Sequence, residues 1–195
     1  MSSLSANGQY CMRSLIITQN MTIDGSVEML EDWFDPQSQD DELLAEMRRQ
    51  DSTADALLLG RRTFEDFRSY WPAQTDDTTG VTDYLNTVDK YVVSATLSEP
   101  GWQNSTILAG DPIDHVRKLV AGRGGDIVVT GSITLCQALI AADVVDEYRL
   151  FLYPCVQGAG RRLFPDGTML SGFSPSGPPR SFPSGVTLVR WSRVR

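Results

Sequence analysis

Apolar residues in this chain fall into short blocks of two kinds. One kind is a compact aliphatic or β-branched run: Ser14–Thr18 (SLIIT), Ala56–Leu59 (ALLL), Lys90–Ser94 (KYVVS) and Ile127–Val129 (IVV), with Thr106–Leu108 as a briefer version. Runs this short, with little polar alternation, predict strands covered on both faces, as in a parallel sheet. The other kind recurs at helical spacing. Leu43, Leu44 and Met47 share one face of a helix ending near Gln50, with Ser38 and Asp41 as a partial capping box at its start. Phe64, Phe67 and Tyr70 mark a second helix, Val81–Thr87 a short third, and Pro112 opens a fourth that carries His115 to Val120. The apolar run from Ile133 to about Ala142 is a fifth. Near the C-terminus, Glu147–Tyr153 reads as a strand, and Val186–Val194 (VTLVRWSRV) alternates as an antiparallel strand near a sheet edge does.

The remaining stretches, Glu28–Asp35, Trp71–Gly80 and Gly167–Gly185, are acidic or rich in Gly, Pro, Ser and Thr and predict loops. Alternating strands and helices, without internal repeat or linker, predict an α/β fold. It is a three-layer αβα sandwich on a mostly parallel mixed sheet with antiparallel C-terminal strands. Residues 13–195 are expected as a single domain. Residues 1–12 (MSSLSANGQYCM) read as a disordered lead-in, lacking the basic-then-apolar order of a secretory leader.

Composition narrows the partners. A net charge of -8 argues against a nucleic-acid or anionic-membrane partner, because either needs a broad basic face; it leaves room for a local basic pocket. No apolar run has the length of a membrane span. Cys11, Cys136 and Cys155 are an odd set without paired spacing, which predicts free thiols in a reducing cytoplasm. A lone histidine, His115, with no cysteine cluster predicts no metal site, and no nucleophile motif accompanies it for a Ser–His–Asp arrangement.

Two strand–turn–helix junctions carry candidate chemistry. Thr130-Gly131-Ser132 leads from a buried strand into the helix at Ile133, and Gly60-Arg61-Arg62-Thr63 does the same after Leu59. Such junctions offer free backbone N–H groups and a helix dipole to an anion, and an arginine beside one can fork onto a phosphate. Ser94 closes a third strand with a small hydroxyl, and Asp24-Gly25 makes a turn after the first. Each of these also suits an ordinary turn.

The four segments resemble those of the dihydrofolate reductase-like fold, and more closely the pyrimidine reductase domain of bacterial riboflavin synthesis and its stand-alone relatives. Asn20-Met21-Thr22-Ile23-Asp24-Gly25 is similar to that family's Ser-Leu-Asp-Gly segment, and Gly60-Arg61-Arg62-Thr63-Phe64 to its Gly-Arg-x-Thr-aromatic turn. Thr130-Gly131-Ser132 resembles its Gly-Gly or Gly-Ser turn. Asp146–Pro154 with Gly158-Ala159-Gly160 resembles its Asp-Glu-hydrophobic run and Gly-x-Gly turn. The resemblance spans about Arg13 to Pro165. It implies an NADPH-dependent reductase acting on a small heterocycle of pterin, folate or pyrimidine type, working as a homodimer. In that picture Thr130, Gly131, Ser132 and Ile133 hold the pyrophosphate, and Gly60, Arg61, Arg62, Thr63 and Ser94 hold the adenosine-side phosphate. Asn20, Asp24 and Gly25 border the nicotinamide and substrate, with Asp24 the candidate catalytic residue, and a proton donor is required for which solvent could serve. Tyr148–Tyr153 would lie at an edge covered by a second subunit.

The chain departs from that pattern in three ways. Dihydrofolate reductase has a substrate carboxylate on its first helix; here Asp40, Asp41 and Glu42 are near the place with nothing to choose among them. Ser132 stands where the second Gly is usual. No His-x-Glu with Pro-Cys-x-x-Cys occurs, which excludes zinc deamination by this chain. A non-catalytic nucleotide- or ligand-binding module on the same fold is the alternative.

Overall fold

A computed structural model describes residues 13–36 and 40–194. The strands are β1 (Leu15–Thr22), β2 (Ala54–Gly60), β3 (Asp89–Val93), β4 (Ser105–Leu108), β5 (Asp126–Val129), β6 (Glu147–Tyr153), β7 (Phe173–Pro175), β8 (Arg180–Ser181) and β9 (Thr187–Arg193). The helices are α1 (Asp41–Asp51), α2 (Arg61–Tyr70), α3 (Val81–Thr87), α4 (Pro112–Val120) and α5 (Ile133–Ala141), with a 3₁₀ turn at Trp71–Ala73. One sheet contains every strand, in the order β4-β3-β2-β5-β1-β6-β9-β7, with β8 also on β9. β1 to β6 pair parallel with one another, while β9 pairs antiparallel with β6, β7 and β8. This is the predicted three-layer αβα arrangement.

Register assigns each side chain to a face. Leu15 and Ile17 lie beside Ile127 and Val129, Leu58 beside Tyr91, and Leu150 beside Gln19. With Leu135, Cys136, Leu139 and Ile140 of α5 and Val116 of α4 they form one continuous buried core. The opposite face carries α1, α2 and α3, and there the buried apolar residues divide into two clusters. Leu57, Leu59, Phe64, Trp71, Leu85 and Val92 make one, and Leu43, Phe151, Phe182 and Leu188 make the other.

Several elements differ from expectation. β1 continues beyond Thr18 to Thr22, because β6 pairs with it as far as Thr22↔Tyr153; Asn20, Met21 and Thr22 are therefore strand rather than turn. The Gly167–Gly185 stretch contains β7 and β8, whose few residues are held by pairing with β9. The run Tyr148–Tyr153 is not an edge: β6 sits between β1 and β9, and its apolar character comes from burial on both faces. Ser38 lies outside the described residues, as do residues 1–12, and α1 is capped by Asp40, whose carboxylate accepts from Leu43 N at 3.0 Å. A second oxygen of Asp40 accepts from Ser184 N at 2.8 Å, so this acid tethers the β8–β9 turn rather than serving a substrate.

Candidate active site

The gap between the two clusters of the α1–α3 face is a cavity of about 900 Å³, the size usual for small-molecule sites. Its floor comes from strand positions that alternate with the opposite core: Thr18 and Asn20 of β1, Leu57 of β2, Val128 of β5, and Arg149 and Phe151 of β6. Its walls are Met47, Gln50 and Asp51 of α1, Phe67 and Tyr70 of α2, and Val81, Tyr84 and Leu85 of α3.

At the mouth, the two predicted glycine turns meet. Gly60 N donates to Ser132 Oγ at 2.9 Å, and Ser132 N donates to Thr63 Oγ1 at 2.8 Å. Gly131 has φ +54, and a Cβ there would stand 2.8 Å from Thr63 Cγ2. Only glycine permits both that backbone and that approach. Gly131 O in turn accepts from the buried Gln19 Nε2 at 2.6 Å. The turns are thus one rigid unit that aims the N-termini of α2 and α5 at the same space.

Those two N-termini differ from the others. α1 and α4 are capped by Asp40 and Asp111 and carry acids in their first turns. α3 carries Asp83, and its first amides donate to Thr79 and Asp77. Among the described residues, α2 and α5 have no side-chain cap, and they have no acid in the first turn. Their first-turn N–H groups and positive dipole ends are therefore left for something outside the helix. Arg62 adds an exposed cation without an ion pair among the described residues, whereas Arg61 is held by Glu65 at 2.9 Å.

Gly60, Arg61, Arg62, Thr63, Thr130, Gly131, Ser132, Ile133 and Asn20 all line the cavity. Asp24, Gly25 and Ser94 do not. Asp24 accepts from Thr22 Oγ1 at 2.6 Å, Gly158 N at 2.8 Å and Gln157 N at 3.2 Å. The Thr22 hydroxyl and these amides hold its carboxyl down to about 2. It is a clamp on the Gln157-Gly158 turn, and at neutral pH it has no proton to give. Gly25 forms the turn beside it at φ +86. Ser94 Oγ accepts from Leu97 N at 2.9 Å and caps its own turn. His115 Nε2 meets Ala109 O, and burial pushes the Cys136 thiol up to about 12, so neither is poised for chemistry.

The inner end of the cavity holds residues the sequence reading does not single out. Burial pushes the Asp51 carboxyl up to about 6, against the pull of the Arg149 charge. Tyr84, raised chiefly by burial, and Arg149 each keep a buried polar atom without a partner among the described residues, the Tyr84 hydroxyl and Arg149 Nη1. Arg149 was detectable in principle, as the only charge inside the apolar run Tyr148–Tyr153. A charge in a central strand demands a reason.

The model of the RibD C-terminal domain family matches residues 13–188. The uncharacterized protein YyaP of Bacillus subtilis (strain 168) is 32% identical over 162 residues, covering 79% of this chain and 81% of that protein. The fold is shared with a putative riboflavin biosynthesis protein from Shewanella sp. PV-4, at TM-score 0.69 and 21% identity over 93% of this chain and 99% of that one. It is shared with a pyrimidine reductase-like protein from Corynebacterium diphtheriae, at TM-score 0.63 and 16% identity over 97% of each. Dihydrofolate reductase from Enterococcus faecalis, complexed with NADP(H), matches at TM-score 0.63 and 14% identity over 95% of this chain and 99% of that one. The resemblance carried by the four sequence segments therefore holds: the chain belongs to the RibD C-terminal domain family, a reductase-type family on the dihydrofolate reductase-like fold.

Proposed function

We propose that this chain is an NADPH-dependent reductase of a small heterocyclic substrate. One observation carries the reading: two helix N-termini without caps or acids, locked together by Gly60, Thr63 and Ser132, open onto one cavity. A helix start left bare in this way suits a phosphate, and a pair of them suits a pyrophosphate. The first-turn amides of α5 and the Gly131-Ser132 turn would hold it, and Arg61, Arg62 and Thr63 would hold the phosphate on the adenosine side. The enzyme-bound dihydrofolate reductase cofactor is the same class of molecule in the Enterococcus faecalis structure. NADPH supplies a hydride when bound. The chain's part is to fix that cofactor at the mouth, to seat the substrate against Leu57 and Val128, and to exclude water with the walls from α1 and α3.

Fluorescence titration with NADPH and NADH, followed by steady-state NADPH oxidation with pterin and pyrimidine compounds, tests the reading. Submicromolar to micromolar NADPH binding with turnover on one of them is the expected result. Absence of binding by either cofactor would remove the proposal, and tight binding without turnover would favour a non-catalytic ligand-binding module. The reading includes a homodimer, supported by the exposed Ile23 and Val156 on segments joined by Ile23 N–Cys155 O at 2.9 Å, with Met29 and Leu30 beside them. A monomer mass by light scattering would discard that part. No helix among the described residues is long and apolar enough to cross a membrane.

A further inference from the structure

A second, smaller cavity of about 310 Å³ lies behind an aromatic wall of the first. Phe34 lines the first cavity and meets Trp33 and Tyr153, which line the second, at centroid distances of 6.4 and 5.9 Å. No described residue lines both cavities. What the smaller one holds is therefore neither the cofactor's phosphates nor a ring seated on Leu57 and Val128. Its sides come from the loop after β1 (Trp33, Asp35), from the chain leaving β6 (Tyr153, Cys155) and from the β8–β9 turn (Ser184). Leu43, Pro154 and Val186 make the rest apolar.

This lining offers little to an anion. The Trp33 indole N–H is taken by Gln157 Oε1 at 2.8 Å, Ser184 N by Asp40 at 2.8 Å, and Cys155 N by Tyr153 O at 2.8 Å. No basic side chain lines the cavity, and Asp35 is its one acid. The charges that act on its other titratable groups are also negative. Burial and then the Asp35 charge push the Tyr153 hydroxyl up to about 12, and burial and then the Asp24 charge raise the Cys155 thiol. Basic side chains on the adjoining segments are engaged elsewhere. Arg180 and Arg49 pair with acids of α1, Arg161 pairs with Glu28, and Arg48 donates to the Thr78 and Thr79 carbonyls.

We propose that this cavity binds a small organic cation, an alkylated ammonium, seated against the Trp33 and Tyr153 rings with Asp35 as its counter-charge. The two rings are inclined at 62° with centroids 5.2 Å apart, so they stand as two walls rather than one stack. The π-system of an aromatic ring attracts an ammonium group, most strongly for tryptophan, and the attraction grows as water is excluded. Leu43, Pro154 and Val186 suit the alkyl groups that such a cation carries. A metal ion is not served, because no group of three His, Cys, Asp or Glu side chains that could hold one occurs among the described residues. A neutral molecule of the same shape would use the apolar walls and gain nothing from Asp35. The inference is independent of the reductase reading.

The test uses the full chain with two probes of one shape: choline, and its neutral isostere in which a quaternary carbon replaces the ammonium nitrogen. Calorimetry reads both for wild type, Asp35→Asn and Trp33→Leu. Wild type is expected to bind choline at least about tenfold tighter than the isostere. Asp35→Asn should weaken choline about fivefold and Trp33→Leu about tenfold, with the isostere moved less than about twofold in either. Equal affinity of wild type for the two probes would overturn the proposal, as would failure to bind choline. Trp33→Leu also breaks the bond to Gln157, whereas Asp35 is exposed and its substitution keeps the shape of the side chain. If Trp33→Leu does not fold, Asp35→Asn decides alone: choline affinity unchanged there overturns the site, and a loss confined to choline supports it.

Discussion

The two faces of the sheet are built from the same strands and used differently. On the α4–α5 face, Leu15, Ile17, Leu58, Ile127, Val129 and Leu150 feed one unbroken core. On the α1–α3 face, the register one residue along brings up Thr18, Asn20 and Arg149, and the core parts around a cavity. Packing density in a folded interior leaves few voids. A face that stays open therefore signals that the sequence has placed groups there for something other than stability. The closed face supplies the stability that the open face gives up.

The sharpest way to break this contrast is to open the closed face. Leu139 is fully buried in the continuous core. Leu139→Ala should cost about 2–5 kcal/mol, the transfer loss plus an uncollapsed void. Urea denaturation reads the loss. A cost below about 1 kcal/mol would mean that this face also tolerates empty space, and the contrast would fail.

Gly131→Val attacks the joint between the faces. Its side chain must stand where Thr63 Cγ2 is, at a φ that disfavours any Cβ. The two turns should be driven apart and the bare N-termini of α2 and α5 misaligned. NADPH affinity is expected to fall at least about tenfold, with the far-UV spectrum unchanged. Retained affinity would show that the ligand does not rely on this joint.

The open face should show its cost in the pH dependence of stability. Asp51 has its carboxyl raised from 3.8 to about 6, first by burial, with Arg149 opposing; that guanidinium is shared with Asp126 and Glu147. A folded state that holds the proton more tightly than the unfolded state gains from it in acid. That gain is lost as pH rises from about 4 to about 6, and the charged, desolvated carboxylate is a penalty above that range. Asp51→Asn has nothing to ionise. It should be more stable than wild type at neutral pH by on the order of 1–3 kcal/mol, with the difference vanishing near the bottom of that window. A variant equally stable across the window would mean the carboxyl is hydrated rather than buried.

How much of this was readable in the residues depends on where the information sits. β6, α3 and α4 have the predicted bounds because local punctuation sets them: Gly80 before α3, Asp111-Pro112 before α4, and an apolar run closed by Pro154 for β6. The two glycine turns at the mouth were equally visible, since Gly-Arg-Arg-Thr and Thr-Gly-Ser are contiguous and their chemistry is local. β7 and β8 were hidden, because a few Pro-, Gly- and Ser-flanked residues become strand only through β9. Asp51 and Tyr84 were hidden for the same reason at larger scale, since a helix-end acid and an aromatic in a short helix look ordinary apart. Arg149 stood out as the one charge in its apolar run, but only the fold brings the three to one cavity. Asp24 shows the converse: its motif was legible, yet its carboxylate is turned to the Gln157-Gly158 amides.

The smallest effect discriminates most finely, because Arg61 and Arg62 are neighbours in sequence and unlike in surroundings. Arg61 lies four residues before Glu65 on one helix and is held by it, a pair that on an exposed surface is worth little to stability but fixes the side chain's direction. Arg62 is exposed and has no such partner among the described residues, so its guanidinium is free to turn to a phosphate at the α2 N-terminus. Both stand at the mouth of the open face, where a chain of net charge -8 would otherwise repel the extra phosphate that distinguishes NADPH from NADH. A charge-assisted hydrogen bond in a buried site is worth roughly 1.5–3 kcal/mol; solvent at this exposed position screens it toward about 1 kcal/mol. Arg62→Ala is therefore expected to weaken NADPH about five- to tenfold and leave NADH nearly unchanged. Arg61→Ala must lose less, about twofold, since its charge is already shared with Glu65. Dissociation constants for both cofactors in wild type and the two variants decide the matter. Equal loss for NADPH and NADH would assign these arginines to the pyrophosphate, and a larger loss from Arg61→Ala would show that ligand binding breaks the Glu65 pair.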